Sequence, residues 1–132
     1  MEEQKKLDSR TIAMERTQFL NGMRRRRVSY LEVNASGHPR LNYKLGDEEA
    51  VIGRTEDNQI VLPFTNVSRH HAAVFKSGED FVIEDKGSTN GSYVNGVKIA
   101  RCALRPNDLI QIGESRIYYT EREELCMWKI KS

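Results

Sequence analysis

From residue 28 onwards, apolar residues come in short runs that Gly, Asn, Asp or Pro interrupts every eight to twelve residues. The runs are rich in β-branched and aromatic side chains, which favour extended strands. Because this spacing leaves no room for crossover helices, the pattern predicts an all-β domain over residues 28–120, a sandwich or barrel of antiparallel strands. The runs that predict strands are VSYLEV, LNYKL, AVIGR, QIVLP, AAVFK, DFVIED, SYVNG, DLIQIG and SRIYYT.

The pattern before residue 28 is different. Residues 4–23 lack proline and are rich in Glu, Gln, Lys, Arg, Met and Leu, which predicts a helix. We therefore expect an N-terminal helical and basic extension over residues 1–27, whose apolar stripe could pack on the following domain, on a second copy of the chain or on another protein. The apolar residues that share this stripe are Ile12, Phe19, Leu20 and Met23.

The C-terminal tail, residues 121–132, has a mixed pattern. Its first part, EREE, is typical of a solvated turn or the start of a helix. The following CMWKI is typical of an extra strand or a segment that packs on the domain, so the sequence leaves the structure of the tail open.

Composition narrows the class of protein. The chain has 132 residues, of which 30% are charged and 38% hydrophobic, as expected for one soluble globular domain with modest extensions. No apolar run approaches the ~20 residues that span a bilayer, and the N-terminal MEEQKKLDSR lacks the apolar core of a secretory signal. Since Cys102 and Cys126 do not make a disulfide framework, we predict a reducing, cytoplasmic location.

We predict neither nucleic acid nor a membrane as a partner. The net charge is only +2, although residues 1–30 carry eight Lys or Arg against four Asp or Glu. The basic run Arg24–Arg27 could contact phosphates or anionic lipid. The interpretation that we favour is a solvated helix end, where cations interact well with the helix dipole.

Three polar segments contain residue types that a hydrophobic core does not explain. They are Gly53-Arg54, Ser68-Arg69-His70-His71-Ala72, and residues 85–92 with the sequence DKGSTNGS. Each alone is an ordinary turn or strand end. Loops at one end of a sandwich lie together, however, so their Arg, Ser, Thr and Asn side chains could converge on one rim. Such a rim would hold an anion with directional hydrogen bonds.

Catalytic and metal sites explain these residues less well. Ser68, His71 and Asp85 could make a nucleophilic triad, but residues three apart on a strand point to opposite faces. The adjacent His70 and His71 cannot easily reach one zinc ion, and the two cysteines have no ligand spacing. We predict no enzyme, no metal and no cofactor.

The order and spacing of these motifs resemble those of the forkhead-associated (FHA) domain family, over roughly residues 28–120. This resemblance implies a β-sandwich of about eleven strands whose loops at one end bind phosphothreonine peptides. The matching motifs are Gly53-Arg54, Ser68-Arg69-x-His71-Ala72, Gly87-Ser88-Thr89-Asn90-Gly91, Val94-Asn95-Gly96 and the stretch from Asp108 to Gly113.

The resemblance also implies roles for individual residues. Arg54 would bind the phosphate with both arms of its guanidinium, and Ser68 would donate its hydroxyl to a phosphate oxygen. Arg69 would lie beside the phosphate or the peptide backbone, Thr89 would complete the phosphate pocket, and Asn90 would hydrogen-bond the peptide main chain. Residues that would support the site, with the His71 ring holding the loops, are Gly53, His71 and Gly91. Candidates for contacting the residues after the phosphothreonine are Phe64 and Asn66.

The sequence therefore predicts a phosphothreonine-dependent binding module in Ser/Thr kinase signalling, whose partner is a Thr-phosphorylated protein or a Ser/Thr kinase. The alternative is a phosphate-independent interaction or dimerisation scaffold that uses the N-terminal helix. A further hypothesis concerns Thr17, which has Leu20 three residues after it. Phosphorylated Thr17 could enter the pocket of its own chain or of a second copy, although an ordinary helical threonine is the interpretation that we favour.

Overall fold

The computed structural model of the protein describes residues 23–127, with side chains described over residues 25–125. This part of the chain forms eleven strands and contains no helix, which confirms the all-β prediction. The strands are β1 (Met23–Asn34), β2 (Leu41–Lys44), β3 (Ala50–Gly53), β4 (Ile60–Val61), β5 (Ala72–Ser77), β6 (Asp80–Asp85), β7 (Ser92–Val94), β8 (Val97–Ile99), β9 (Arg101–Ala103), β10 (Leu109–Ile112) and β11 (Ser115–Met127).

The strands form two sheets, with orders β2-β1-β11-β10-β7-β8 and β4-β3-β5-β6-β9. Among the pairs β1/β2, β3/β4, β3/β5, β5/β6, β6/β9, β7/β8, β7/β10 and β10/β11, only β3 and β4 run parallel, with Ile52 opposite Ile60, and the others are antiparallel. The expectation of antiparallel strands throughout is therefore wrong at this pair. A side chain contributes to the connection between β3 and β4. The Gln59 Oε1 accepts a hydrogen bond of 2.8 Å from the Val51 amide, in the place of a backbone carbonyl oxygen.

The core lies between the two sheets and is built from aliphatic side chains on their facing surfaces. In β10 the two isoleucines, Ile110 and Ile112, are fully buried, while the intervening Gln111 is partly exposed. Ile52 and Ile83 are fully buried on the opposite sheet. Burial of each such side chain stabilises the fold by about 1.5 to 3 kcal/mol, and it fixes the strands that carry the loops.

The segments beyond the central strands depart from the predictions. Residues 28–122 form one compact unit, and the described residues on either side, 23–27 and 123–127, belong to a second. The predicted helix over residues 4–23 lies outside the described residues, apart from Met23, which begins β1. The basic run belongs to β1 and does not end a helix. The segment EREE belongs to β11 and is neither a turn nor a helix start, since the described backbone pairs within the sheet in both places.

The described residues of the second unit include an ion pair between the ends of β1 and β11. The Arg25 Nη1 lies 3.0 Å from the Glu123 Oε1, with both side chains exposed. Among residues 23–127, no helix is long and apolar enough to span a membrane.

Strand pairing brings three chain segments to the same end of the sandwich. The end of β3 lies beside the start of β5, because Ile52 pairs with Ala72. The end of β6 lies there too, because Asp85 also pairs with Ala72. The loops after β3, before β5 and after β6 are therefore neighbours, although residues 53 and 91 are far apart in sequence.

Candidate functional site

An open groove of about 590 Å³ lies at the end of the sandwich where these loops meet. Every residue predicted to contact the ligand lines this groove, and so does the candidate specificity residue Asn66. The lining residues are Arg54, Thr65, Asn66, Val67, Ser68, Arg69, His70, Lys86, Thr89 and Asn90.

Close contact between the first two loops depends on Gly53. A Cβ atom at this position would lie 2.0 Å from the backbone oxygen of Arg69, so no larger residue fits without moving the chain. Beside it, the buried Asn58 donates from its Nδ2 to the backbone oxygens of Thr55 at 2.9 Å and Arg69 at 2.8 Å. In the sequence, Asn58 is marked only by its place in a polar turn.

The fully buried His71 connects the second loop to the third. Its Nδ1 lies 3.0 Å from the backbone nitrogen of Ser68, and its Nε2 lies 2.8 Å from the backbone oxygen of Gly91. Because an amide N–H can only donate, Nδ1 must be the acceptor, and Nε2 then carries the proton that is donated to Gly91. The imidazole is therefore a neutral tautomer that is fixed by its two partners.

The third loop is organised by Asp85. Its carboxylate accepts hydrogen bonds from the Ser88 amide at 2.9 Å, the Ser88 hydroxyl at 2.6 Å and the Ser92 hydroxyl at 2.7 Å. Burial raises the pKa of Asp85, but the hydrogen bonds from Ser88 and Ser92 outweigh it, and the pKa lies below its ordinary value. Asp85 and His71 thus bond to other groups, and they do not form a catalytic triad with Ser68.

The same loop turns sharply at Gly91. Its φ of +87° lies in the left-handed region, where side chains are strained, and a Cβ would lie 2.9 Å from the Lys98 Cε. The Gly91 amide donates to the Ser88 hydroxyl at 2.9 Å. This turn presents the Gly91 carbonyl to His71 and leaves Thr89 and Asn90 at the groove.

Donors for an anion are concentrated where Arg54 and Ser68 meet. The half-buried Arg54 donates from Nη1 to the backbone oxygen of Val67 at 3.1 Å, which orients the guanidinium and leaves most of its five N–H groups for a ligand. The Ser68 Oγ accepts the Thr89 amide at 3.1 Å. A hydroxyl that accepts in this way keeps its own proton for donation.

The two candidate specificity residues occupy different places. Asn66 lines the groove, and its backbone oxygen accepts a hydrogen bond of 3.0 Å from the Asn90 Nδ2. Phe64 does not line the groove. It is half-buried against the core, with its ring edge-on to His38 at 5.5 Å, and it lines a neighbouring hollow of about 40 Å³ together with Asn66.

Two groove residues with basic side chains had no predicted role. His70 lies 2.9 Å from the Asn58 Oδ1 through its Nδ1 and 3.6 Å from the Asp57 carboxylate through its Nε2. Lys86 belongs to the polar segment 85–92, in which the small hydrogen-bonding residues after it resemble the family motif. Its Nζ lies 3.9 Å from the Glu49 carboxylate. Among the residues that line the groove, none carries a carboxylate.

Comparison with known proteins agrees with this geometry. Residues 50–113 match the family model of the FHA domain. The transcriptional regulatory protein EmbR of Mycobacterium tuberculosis is 44% identical over 81 residues, which are 61% of this chain and 20% of that protein. The chain thus spans about a fifth of that relative's length.

Solved structures show the same fold. One, from a structural and functional analysis of phosphothreonine-dependent FHA domain interactions, has a TM-score of 0.64 and 31% identity, and the match covers 70% of this chain and 95% of that one. Another, Mycobacterium tuberculosis EmbR in complex with a low-affinity phosphopeptide, has a TM-score of 0.63 and 34% identity, covering 80% of this chain and 26% of that one.

Proposed function

Because the chain belongs to the FHA domain family, we propose that it is a phosphothreonine-dependent peptide-binding module in Ser/Thr kinase signalling. The observation that carries this proposal is the groove itself, in which guanidinium, hydroxyl and amide donors face one space and no lining residue bears a carboxylate. FHA domains are binding modules, and the bonding of His71 and Asp85 fits that role.

The groove suits a phosphate chemically. A phosphothreonine has a charge of about −1.5 to −2 and three strong acceptor oxygens. In our proposal Arg54 binds two of these oxygens through its planar guanidinium, and Ser68 donates its hydroxyl to one of them. Hydrogen bonds to charged groups contribute about 1.5 to 3 kcal/mol each, so these two residues supply a large part of the affinity.

The other predicted roles follow from position in the groove. Arg69 is exposed beside Ser68. The Thr89 amide lies 3.1 Å from the Ser68 Oγ, and from this position Thr89 would complete the phosphate pocket. Asn90 would bond the peptide main chain next to the phosphothreonine. The supporting roles that we propose for Gly53, His71 and Gly91 rest on the close contacts and hydrogen bonds between the loops.

For the residues after the phosphothreonine, we propose Asn66 as the main contact. Its side chain borders both the groove and the neighbouring hollow, so an extended peptide that leaves the groove on this side would pass over it. Phe64 would take part only by lining the hollow. The partner would be a Thr-phosphorylated protein or a Ser/Thr kinase in the cytoplasm.

The roles predicted for residues 1–27 stay predictions. Dimerisation through a helix and entry of phosphorylated Thr17 into the pocket both depend on residues outside the part of the chain that the structure describes. Neither has support from the contacts of the domain.

A binding titration tests the proposal. The full chain is titrated with a degenerate phosphothreonine peptide library and with matched threonine and phosphoserine libraries. We expect binding to the phosphothreonine library alone. In Arg54→Ala and in Ser68→Ala the affinity should fall tenfold or more, because each variant loses hydrogen bonds that contribute about 1.4 kcal/mol or more.

Two further variants sharpen the result. Arg54→Lys keeps the charge but cannot bind two oxygens in a plane, so it should also bind weakly. Arg116→Ala removes an exposed arginine from β11 and should bind normally. A folded protein that binds threonine and phosphothreonine peptides equally, or binds neither, would overturn the proposal.

A further inference from the structure

The groove has more positive charge than one phosphate needs. Within residues 25–125, neither Arg54 nor Arg69 is paired with a carboxylate, so together they can neutralise the roughly two negative charges of a phosphothreonine. Lys86 adds a third cation to the same groove. We propose that Lys86 binds a second anionic group of the ligand, on a residue close to the phosphothreonine. This inference rests on the proposed function.

The position of Lys86 in the groove is fixed by its backbone. Its amide donates to the backbone oxygen of His71 at 2.9 Å, immediately after the end of β6. Lys86 therefore begins the loop that carries Thr89 and Asn90, and it lines the groove together with them. A ligand residue beside the phosphothreonine would contact Lys86 on this loop, while Arg54 and Ser68 hold the phosphate.

The ammonium group of Lys86 has only a weak partner in the free protein. Its Nζ lies 3.9 Å from the Glu49 carboxylate, and the two side chains are 38% and 48% exposed. Exposed ion pairs at such distances contribute little, because water and salt screen them and long side chains lose freedom. A peptide anion can therefore replace Glu49 at little cost.

His70, the remaining basic side chain in the groove, fits this role less well. Its Nδ1 is bonded to Asn58 at 2.9 Å, and its Nε2 already faces the Asp57 carboxylate at 3.6 Å. An anion placed near His70 would be repelled by Asp57. The bond to Asn58 holds the His70 ring beside Asp57, whereas the Lys86 side chain has only its long contact with Glu49, so Lys86 is the better site for the second contact.

The ligand group can come from two sources that share one chemistry. An Asp or Glu side chain brings one negative charge, and a second phosphorylated residue brings about two and binds more strongly. From the free energy that exposed and partly exposed ion pairs contribute, we expect a carboxylate to raise the affinity about two- to fivefold. A second phosphate should raise it further.

The test compares phosphothreonine peptides that differ at one position. Starting from a peptide with neutral flanks that binds, Asp is placed at each flanking position in turn, and the best position is then repeated with phosphoserine. Affinity is measured at low and at high salt with the full chain. We expect a gain at one position or two adjacent positions, larger for phosphoserine, and smaller at high salt.

The gain, expressed as the ratio of the two affinities, is then measured in three variants. In Lys86→Gln the ratio should fall to about one, and in Glu49→Gln it should rise, because the competing carboxylate is gone. Lys76→Gln removes the same charge from an exposed position on β5 and should leave the ratio unchanged.

Failure of this inference is distinct from failure of the proposed function. If neutral phosphothreonine peptides bind but no acidic position gives a gain, the role of Lys86 is overturned and the proposed function stands. A gain that survives Lys86→Gln, or that Lys76→Gln reduces equally, overturns it as well. If no phosphothreonine peptide binds, both proposals fail.

Discussion

The binding end of the domain has two layers with opposite properties. The supporting layer is bonded within the chain, and its His71 has no exposed surface. The contact layer lies above it and faces solvent with donors that the chain uses only in part. We define the supporting layer as Gly53, Asn58, His71, Asp85 and Gly91, and the contact layer as Arg54, Ser68, Arg69, Thr89 and Asn90.

This difference separates stability from binding. A change in the supporting layer leaves buried polar groups without partners or overpacks the loops, so it should lower the free energy of unfolding and disturb the groove indirectly. A change in the contact layer removes donors that we propose bind the ligand, and it should leave the fold intact. Ser68 is the exception, because its hydroxyl also accepts the Thr89 amide.

The largest effect is expected for His71→Ala. The substitution removes a fully buried ring and leaves the Ser68 amide and the Gly91 carbonyl without partners. We expect the free energy of unfolding to fall by about 3 kcal/mol, as measured in urea. His70→Ala, at the neighbouring exposed position, should cost less than about 1 kcal/mol. Equal costs would contradict a supporting role for His71.

Next in size is Gly53→Ala. The added methyl would lie 2.0 Å from the Arg69 oxygen, so one loop must move, and overpacking of this kind costs about 1 to 3 kcal/mol. The matched control is Gly46→Ala, where nothing lies within 4 Å of the new Cβ. The midpoint temperature of thermal unfolding and the phosphopeptide affinity should both fall in Gly53→Ala, and both should stay unchanged in Gly46→Ala.

A smaller effect is expected from Asp85→Asn, with a characteristic pH dependence. Because the pKa of Asp85 is lowered in the folded protein, its contribution is complete above the ordinary pKa and is lost as pH falls through the lowered value. The variant should lose about 1 kcal/mol of stability at neutral pH, where a hydrogen-bonded charge is removed.

The pH profile decides whether Asp85 acts in this way. Below about pH 4 the unfolding free energy of the variant should fall less steeply than that of the natural chain. Asp47→Asn, in an exposed loop, should follow the natural profile. If the unfolding free energy falls equally steeply at low pH in all three proteins, a supporting role for the Asp85 carboxylate is contradicted.

The smallest effect is expected in the contact layer, from Asn90→Ala. The side chain is exposed and donates to the Asn66 backbone at 3.0 Å. Loss of one neutral hydrogen bond to the ligand should weaken phosphopeptide binding about two- to tenfold, with an unchanged midpoint of thermal unfolding. Asn42→Ala on the exposed β2 should change neither quantity, and a drop in stability for Asn90→Ala would move this residue into the supporting layer.

The hydrophobic pattern predicted the strands well where each has a buried face. Runs such as DFVIED and DLIQIG became β6 and β10 with alternating or continuous burial. It missed β8 and β9, which are three residues long and mostly exposed, so they have little apolar pattern. The parallel pairing of β4 depends on the Gln59 side chain and on contacts distant in sequence, which periodicity does not encode.

The site was predictable to a different extent in its two layers. The fold does not require an arginine or a serine at the positions of Arg54 and Ser68. These residues could therefore be predicted from the order and spacing of the motifs. The sequence assigns no role to Asn58, and it places Asp85 in the polar segment 85–92 without its supporting role, because polar residues in turns are common and their bonding partners appear only in three dimensions. Lys86 lies in the same segment, but a lysine in a loop carries no signal for a role by itself.

One hydrogen bond in this end of the domain has a consequence for spectroscopy. The Ser68 amide donates to an imidazole nitrogen, whereas strand amides donate to carbonyl oxygens. Two nitrogen nuclei on either side of a hydrogen bond share a scalar coupling, so Ser68 and His71 should be linked directly in a nitrogen-15 NMR spectrum. The Ser68 amide proton should also exchange slowly with solvent for as long as the imidazole stays in place. A single resonance would then report, before any ligand is added, whether the loops are assembled.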